Sequence, residues 1–126
     1  MTVFSDELVT YLQAQTSLTD LVGTRIEPSV LRSTTYPAIV YRRIDTPHLQ
    51  AQYVKPRYQF DLYGPDYAAL WRVVDRLKTA LHQYHGLMGS THVRCLVVNA
   101  WDDWDQELAL FVTRVDAKLV FVEPAT

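Results

Sequence analysis

Apolar and polar residues alternate in several stretches of the chain. The clearest stretch covers residues 57–63, where Tyr58, Phe60 and Leu62 fall on one side and polar residues fall on the other. Because the side chains of a strand point alternately to opposite faces, this pattern predicts a strand with one buried face. A second alternating run predicts a strand at residues 108–122, and runs rich in β-forming and apolar residues predict strands at 38–44 and 92–100.

A spacing of three to four residues between apolar positions marks two predicted helices. The longer helix follows Asp66, a predicted N-cap, and its apolar stripe extends over residues 67–84. Gly86 is its predicted C-terminal stop. The shorter helix covers residues 5–15, near the start of the chain.

The order of these elements is helix, strand, strand, long helix, strand, strand. Paired strands separated by one helix are typical of an α+β fold. We therefore expect a single α+β domain over residues 1–126, with an antiparallel sheet of about four strands and both helices packed on one face. Residues 46–56, with a proline near each end, predict a long loop or a hairpin arm. Residues 101–107 predict an acidic hairpin tip that holds tryptophan.

Composition narrows the class of protein. The chain has 126 residues and a net charge of −2, which argues against a protein that grips nucleic acid by bulk positive charge. The single cysteine, Cys95, rules out an intramolecular disulfide and a cysteine-based zinc site. We expect no signal peptide, since the start is acidic, and no membrane association, since no apolar run approaches the ~20 residues of a spanning helix.

Residues 101–107 are the most acidic stretch of the chain, and they include Trp101 and Trp104. The four carboxylates of this stretch are Asp102, Asp103, Asp105 and Glu107. Carboxylates in this number suit a hard cation or a two-metal centre, so a metal-dependent, nuclease-like enzyme is one hypothesis. The simpler interpretation is a hairpin tip with solvated acids. A third is a tryptophan exposed for a partner, since tryptophan is a favoured interface anchor.

The other candidates for chemistry have simpler structural explanations. His82 and His85 are spaced as a metal pair, but no third ligand follows, and surface histidines near a helix end are the favoured interpretation. Cys95 lies in an apolar run and is interpreted as a buried, unreactive thiol. The sequence has no glycine-rich phosphate loop and no nucleophile motif. We expect no catalytic residues, no metal and no cofactor.

Basic residues flank the predicted loop at 46–56. They are Arg42, Arg43, Lys55 and Arg57. With tyrosines nearby, they form a candidate nucleic-acid face. The alternative is a protein interface, or a solvated sheet face whose charges pair across strands with Asp45 and Asp61. The slightly negative net charge favours this alternative.

Three segments, taken in order, resemble a known family. They are SLTDLVGTRI at 17–26, YPAIVY at 36–41 and RYQFDLY at 57–63. Together they resemble the tail-completion proteins of long-tailed bacteriophages, also called tail-to-head joining or tail-terminator proteins. The resemblance covers about residues 8–81. The acidic stretch at 101–107 matches no pattern of that family.

The resemblance implies a small α+β protein that is not an enzyme. Family members form a ring, usually hexameric, on the head-proximal end of the tail tube. The ring caps the tube and meets the head–tail connector, and DNA passes through its lumen without being read. The expected location is thus the tail–head junction of a virion assembled in the host cytoplasm. A head–tail adaptor or a tube component is a neighbouring alternative, beside the metal-dependent enzyme.

The resemblance also implies surfaces for subunits and partners. The loop at 46–56 would be an arm that reaches a neighbouring subunit or the tail tube protein. The acidic stretch would face the lumen or a docking partner. The candidate interface residues are Arg43, His48, Gln50, Tyr53, Lys55, Arg57, Trp101 and Trp104.

Overall fold

A computed structural model describes residues 4–45 and 53–122, so His48 and Gln50 lie outside the described residues. This part of the chain forms helices α1 (Phe4–Gln13), α2 (Thr16–Val22) and α3 (Tyr67–Leu81). Its strands are β1 (Ile26–Pro28), β2 (Ala38–Asp45), β3 (Tyr53–Val54), β4 (Arg57–Gly64), β5 (His85–Met88), β6 (Thr91–Asp105) and β7 (Leu110–Val122). The predicted α+β class is confirmed. None of the helices in these residues is long and apolar enough to cross a bilayer.

The strands of the described part form one sheet in the order β1-β2-β4-β7-β6-β5, with β3 paired to the end of β7. The prediction of about four strands was too few, because the described residues alone form seven. The sheet is also mixed, since β1 lies parallel to β2 while the other pairs are antiparallel. The short strands β3 and β5 were missed because segments of two to four residues show no clear alternation.

The helices cover one face of the sheet. Tyr58, Phe60 and Leu62 point to this face and are fully buried, as their alternation predicted. Val115 and Ala117 lie beside them on β7 and complete a continuous apolar layer under the helices. The other face of β2, β4, β7 and β6 carries no helix of the described residues and is called the open face below. Part of it is buried in a second apolar cluster, which consists of Val40, Tyr63, Leu110 and Val112 with Leu31 and Tyr36 packed against them.

Helix α3 begins as predicted but ends earlier. The side chain of Asp66 caps it by accepting hydrogen bonds of 3.0 and 3.4 Å from two amides of the first turn. The helix stops at Leu81, whereas His85 and Gly86 belong to β5. Gln83 takes a left-handed backbone conformation, with φ of 60°. This turn directs the chain back along β6, and the pairing of β5 with β6 outweighs the helical pattern.

The hairpin of β6 and β7 turns later than the sequence suggested. Strand β6 continues through Asp105, and residues 106–109 form the turn, so most of the predicted tip at 101–107 is strand. Cross-strand pairs such as Trp104 with Phe111 hold these residues in the sheet. A bulge between Val97 and Asn99 interrupts the regular pairing of β6 with β7 and bends the strand.

Side chains accept hydrogen bonds from backbone amides along the outer edge of β6. Strand β5 pairs with β6 only as far as Arg94, so the edge beyond that residue has no neighbouring strand in the described chain. There the amide of Ala100 donates to the side chain of Asn99 at 2.9 Å. The amide of Trp104 donates to the carboxylate of Asp103 at 2.8 Å. The edge is thus partly satisfied by its own residues.

Glu7 anchors helix α1 to the turn between β5 and β6. Its buried carboxylate accepts hydrogen bonds from the Ser90 amide at 2.6 Å, the Ser90 hydroxyl at 3.1 Å and the Thr91 hydroxyl at 2.5 Å. Burial alone would raise the pKa of Glu7, but the bonds from Thr91 and Ser90 outweigh it. The pKa of Glu7 therefore lies below its ordinary value, and the carboxylate is charged at neutral pH.

This lowered pKa predicts an acid-sensitive contribution to stability. A carboxyl group whose pKa is lower in the folded state stabilises the protein above its unfolded pKa and loses that effect as the pH falls through its folded pKa. We expect the wild type to lose more stability than Glu7→Gln when the pH drops from about 7 to about 3. Urea unfolding at both pH values measures this. Equal losses in the two proteins would contradict the prediction.

Candidate interaction surface

A buried carboxylate lies at the centre of the open face. Asp61 is fully buried, with 0% of its side chain exposed, yet it points away from the helices. One of its oxygens accepts from Arg42 at 2.8 Å and pairs with Arg114 at 2.9 Å. The other oxygen accepts from Gln59 at 2.8 Å. These donors from β2, β4 and β7 cross the sheet and join three strands on one side.

Further ion pairs extend this arrangement toward both ends of the open face. Arg57 donates to Asp116 at 2.7 Å, and Arg114 also meets Asp103 at 3.3 Å. Burial would lower the pKa of Arg114, but its contacts with Asp61 and Asp103 outweigh burial and raise that pKa. The guanidinium therefore stays charged, and charges of opposite sign alternate across the face.

The four basic residues beside the predicted loop do not converge on one patch. Arg42 and Arg57 lie on the open face. Arg42 pairs with Asp61, as the hypothesis of cross-strand pairs expected, but Arg57 pairs with Asp116 and not with Asp45. Arg43 lies on the opposite face, over the rings of Tyr58 and Phe121 at 5.7 and 5.6 Å. The candidate nucleic-acid face is thus divided between two sides of the sheet.

The acidic residues of β6 also separate. Asp102 points to the helix face, where it accepts from the Tyr67 hydroxyl at 2.6 Å, the Trp71 indole at 3.0 Å and the Thr113 hydroxyl at 3.2 Å. The hydrogen bond from the Tyr67 hydroxyl to Asp102 raises the pKa of Tyr67. The arrangement fixes the start of α3 on the hairpin.

Neighbouring acids have other partners. Asp103 points to the open face; its bonds from the Trp104 amide and from Arg114 lower its pKa. Asp105 accepts from the Leu108 amide at 2.9 Å. In the residues that the structure describes, no group of three or more acidic, histidine or cysteine side chains is placed to hold a metal ion. The proposed metal centre therefore has no assembled ligand set in this part of the chain.

Histidine and cysteine give no further site. His82 caps helix α3 and accepts from the Val97 amide at 3.3 Å, whereas His85 lies in β5, so the two residues of the candidate metal pair serve different elements. Cys95 is buried, and burial raises the pKa of its thiol to about 12. It is therefore an uncharged thiol at neutral pH, as its apolar surroundings suggested.

Exposed aromatic side chains gather at the turn end of the hairpin. Trp104 is 47% exposed and packs edge-on against Phe111 at 5.1 Å, and Tyr67 meets the same ring at 5.5 Å. Trp101 lies on the open face and is 37% exposed. Both tryptophans proposed as partner contacts are thus accessible, on opposite sides of β6.

The remaining candidates lie at the far end of the same hairpin. Tyr53 is 51% exposed and pairs with Val122, and Lys55 follows it. Arg57 lies opposite Lys118. Strand β7 joins the two ends, and the eight residue steps from Leu110 to Lys118 span about 26 Å at the usual rise per residue. The described candidates therefore form two groups, one at each end of the hairpin.

Sequence reasoning missed several residues beside these candidates. Lys118, Val120 and Val122 follow one another on the open face of β7, and Arg94 lies opposite Val120. The alternation of residues 108–122 already placed Lys118 on a polar face. Its position beside Arg57 depends on the pairing of β4 with β7, two strands that α3, β5 and β6 separate along the chain.

The fold has a match among solved structures. It is a chain from the virion of a native gene transfer agent (GTA) particle, with a TM-score of 0.77 and 11% identity over 97% of this chain and 96% of that chain. No protein-family model matches the sequence, and no curated protein matches it. At this identity the match shows a shared fold over almost the whole length of both chains.

Proposed function

We propose that this protein is a structural component of a virion, and specifically a tail-terminator or tail-completion subunit. In this role, copies form a ring, usually hexameric, that caps the tail tube and joins it to the head–tail connector. DNA passes through the lumen without specific recognition. The ring acts at the tail–head junction of particles assembled in the host cytoplasm, and the protein is not an enzyme.

The observation on which this proposal rests is the shared fold with a virion chain over nearly the full length. The three segments at 17–26, 36–41 and 57–63, which resemble tail-completion proteins, narrow the role within a virion. The acidic residues support a structural role over the nuclease-like alternative. Asp102 and Asp103 point to opposite faces of β6 and are held by protein donors, so they do not converge on a cation.

Deleting the reading frame from its parent genome tests this function. We expect full heads beside detached, overlong tails when the lysate is imaged by negative stain, because an uncapped tube continues to polymerise. Supplying the wild-type protein in trans should restore joined particles. Detached tails of normal length would instead indicate a head–tail adaptor, and absence of tails a tube component. Intact infectious particles without the protein would contradict any assembly role.

A further inference from the structure

We infer that the turn end of the β6–β7 hairpin of one copy docks in a basic groove on the open face of a second copy. This inference rests on the proposed function and names the surfaces that join neighbouring subunits. The acidic hairpin end consists of Trp104, Asp105, Glu107 and Leu108. The basic groove consists of Tyr53, Lys55, Arg94, Lys118, Val120 and Val122.

The acidic hairpin end combines unneutralised charge with exposed apolar surface. Asp105 and Glu107 form no ion pair with any described residue. Trp104 and Leu108 are each 47% exposed beside them. Large apolar side chains next to acids at a projecting turn are costly to leave in water, and burying them against a partner recovers that cost. The same end thus offers an apolar anchor and negative charge.

The basic groove has the opposite charge and an apolar pocket. This pocket measures about 260 Å³ and is lined mainly by apolar atoms, with Tyr53 and Val122 at its wall and Arg94 beside them. A second depression of about 230 Å³ is lined by three basic residues, Lys55, Arg57 and Lys118, and by one acid, Asp45. Neither lysine forms an ion pair within the described chain. An apolar pocket flanked by free cations suits a large apolar side chain flanked by acids.

A copy cannot fill its own groove. The two surfaces lie about 26 Å apart along β7, and paired strands connect them without a hinge. The occupant is therefore a second copy, which presents the same hairpin end. Each such contact leaves one hairpin end and one groove unused, which is the head-to-tail geometry that closes into a ring.

Cysteine pairs test the contact directly. The deletion is complemented with a chain that carries Leu108→Cys and Val122→Cys, which leave every charge of the two surfaces in place. Particles are purified, oxidised and separated on a non-reducing gel. We expect a ladder of covalent multimers. A matched chain carries Val122→Cys together with Thr79→Cys, which lies on the exposed side of helix α3, and should give no ladder. Native Cys95 is buried and needs no replacement.

The gel separates failure of this inference from failure of the proposed function. Particles that contain the protein but give no ladder from the 108–122 pair would overturn the docking contact and leave the virion role intact. Particles that form without the protein would overturn both. A ladder from the control pair of equal strength would also overturn the contact, because it would show that the cross-links are unspecific.

Charge reversal provides an independent test. Glu107→Lys and Lys118→Glu should each lower the titre of complemented particles by more than about tenfold, and the two together should restore most of it. Arg72→Glu changes the net charge by the same amount as Lys118→Glu, but on the exposed side of helix α3, and should leave the titre unchanged. A double variant no better than the weaker single variant would contradict direct contact between the two surfaces.

Discussion

Asp61→Asn is expected to destabilise the protein by about 3 kcal/mol. Asparagine keeps the shape of the side chain but removes the charge that neutralises Arg42 and Arg114. It also turns an amide group toward donors that need acceptors. Because Asp61 is fully buried, no water replaces the lost interactions. The two arginines are 41% and 26% exposed, so solvent screens part of their charge and the loss stays at the lower end for a broken buried pair.

Asp103→Asn is the matched control for this prediction. Asp103 meets the same Arg114, but at 3.3 Å and with 53% of its side chain exposed. Solvent screens an exposed pair, so the loss at Asp103 should be much smaller than the loss at Asp61. Urea unfolding at neutral pH measures both variants. Similar losses at Asp61 and Asp103 would mean that burial of the first carboxylate does not set the strength of the interaction.

Gly89→Ala is expected to cost about 3 kcal/mol, from two separate causes. Gly89 has φ of 60°, a left-handed conformation that costs an alanine about 1 kcal/mol. In addition, a Cβ at this position would overlap the carboxylate of Glu7. The carboxylate must then move, and its hydrogen bonds to Ser90 and Thr91 are lost.

A double-mutant cycle separates these two causes. In a Glu7→Ala background the overlap disappears, so Gly89→Ala should cost only the backbone term of about 1 kcal/mol. Gly64→Ala is a matched control, since a Cβ there would meet Leu70 at an ordinary 3.5 Å. It should destabilise much less than Gly89→Ala. Equal costs of Gly89→Ala with and without Glu7 would show that the carboxylate is not involved.

Local patterns predicted the parts of the fold that depend on local forces. Alternation alone fixed the buried side of β4 at Tyr58, Phe60 and Leu62, because only one register buries all three. Asp66 was predicted as a cap because an aspartate just before a helix can accept hydrogen bonds from amides of the first turn. In the structure its side chain accepts from the amides two and three residues ahead. By contrast, β5 exists through its pairing with β6, and the turn at Gln83 follows from that pairing rather than from local preference.

The candidate site was predictable only in part, for the same reason. Neighbouring side chains of a strand point to opposite faces, so the prediction of a strand at residues 38–44 was enough to separate Arg42 from Arg43. This separation argues against a single basic patch. The bonds from Tyr67 and Trp71 to Asp102 join residues more than thirty positions apart. No spacing rule links these residues, so from the sequence the acids of β6 seemed available to bind a cation. In the structure Asp102 already accepts hydrogen bonds from three side chains.

The outer edge of β6 has a consequence for how the protein behaves at high concentration. An exposed strand edge with free amides is a template on which another chain can add a strand, and such addition leads to fibres. Here the amides of Val97, Ala100 and Trp104 already donate to side chains of the same molecule. A strand arriving from another chain would have to displace these bonds one by one. The edge is thus partly protected against amyloid-like growth by its own side chains.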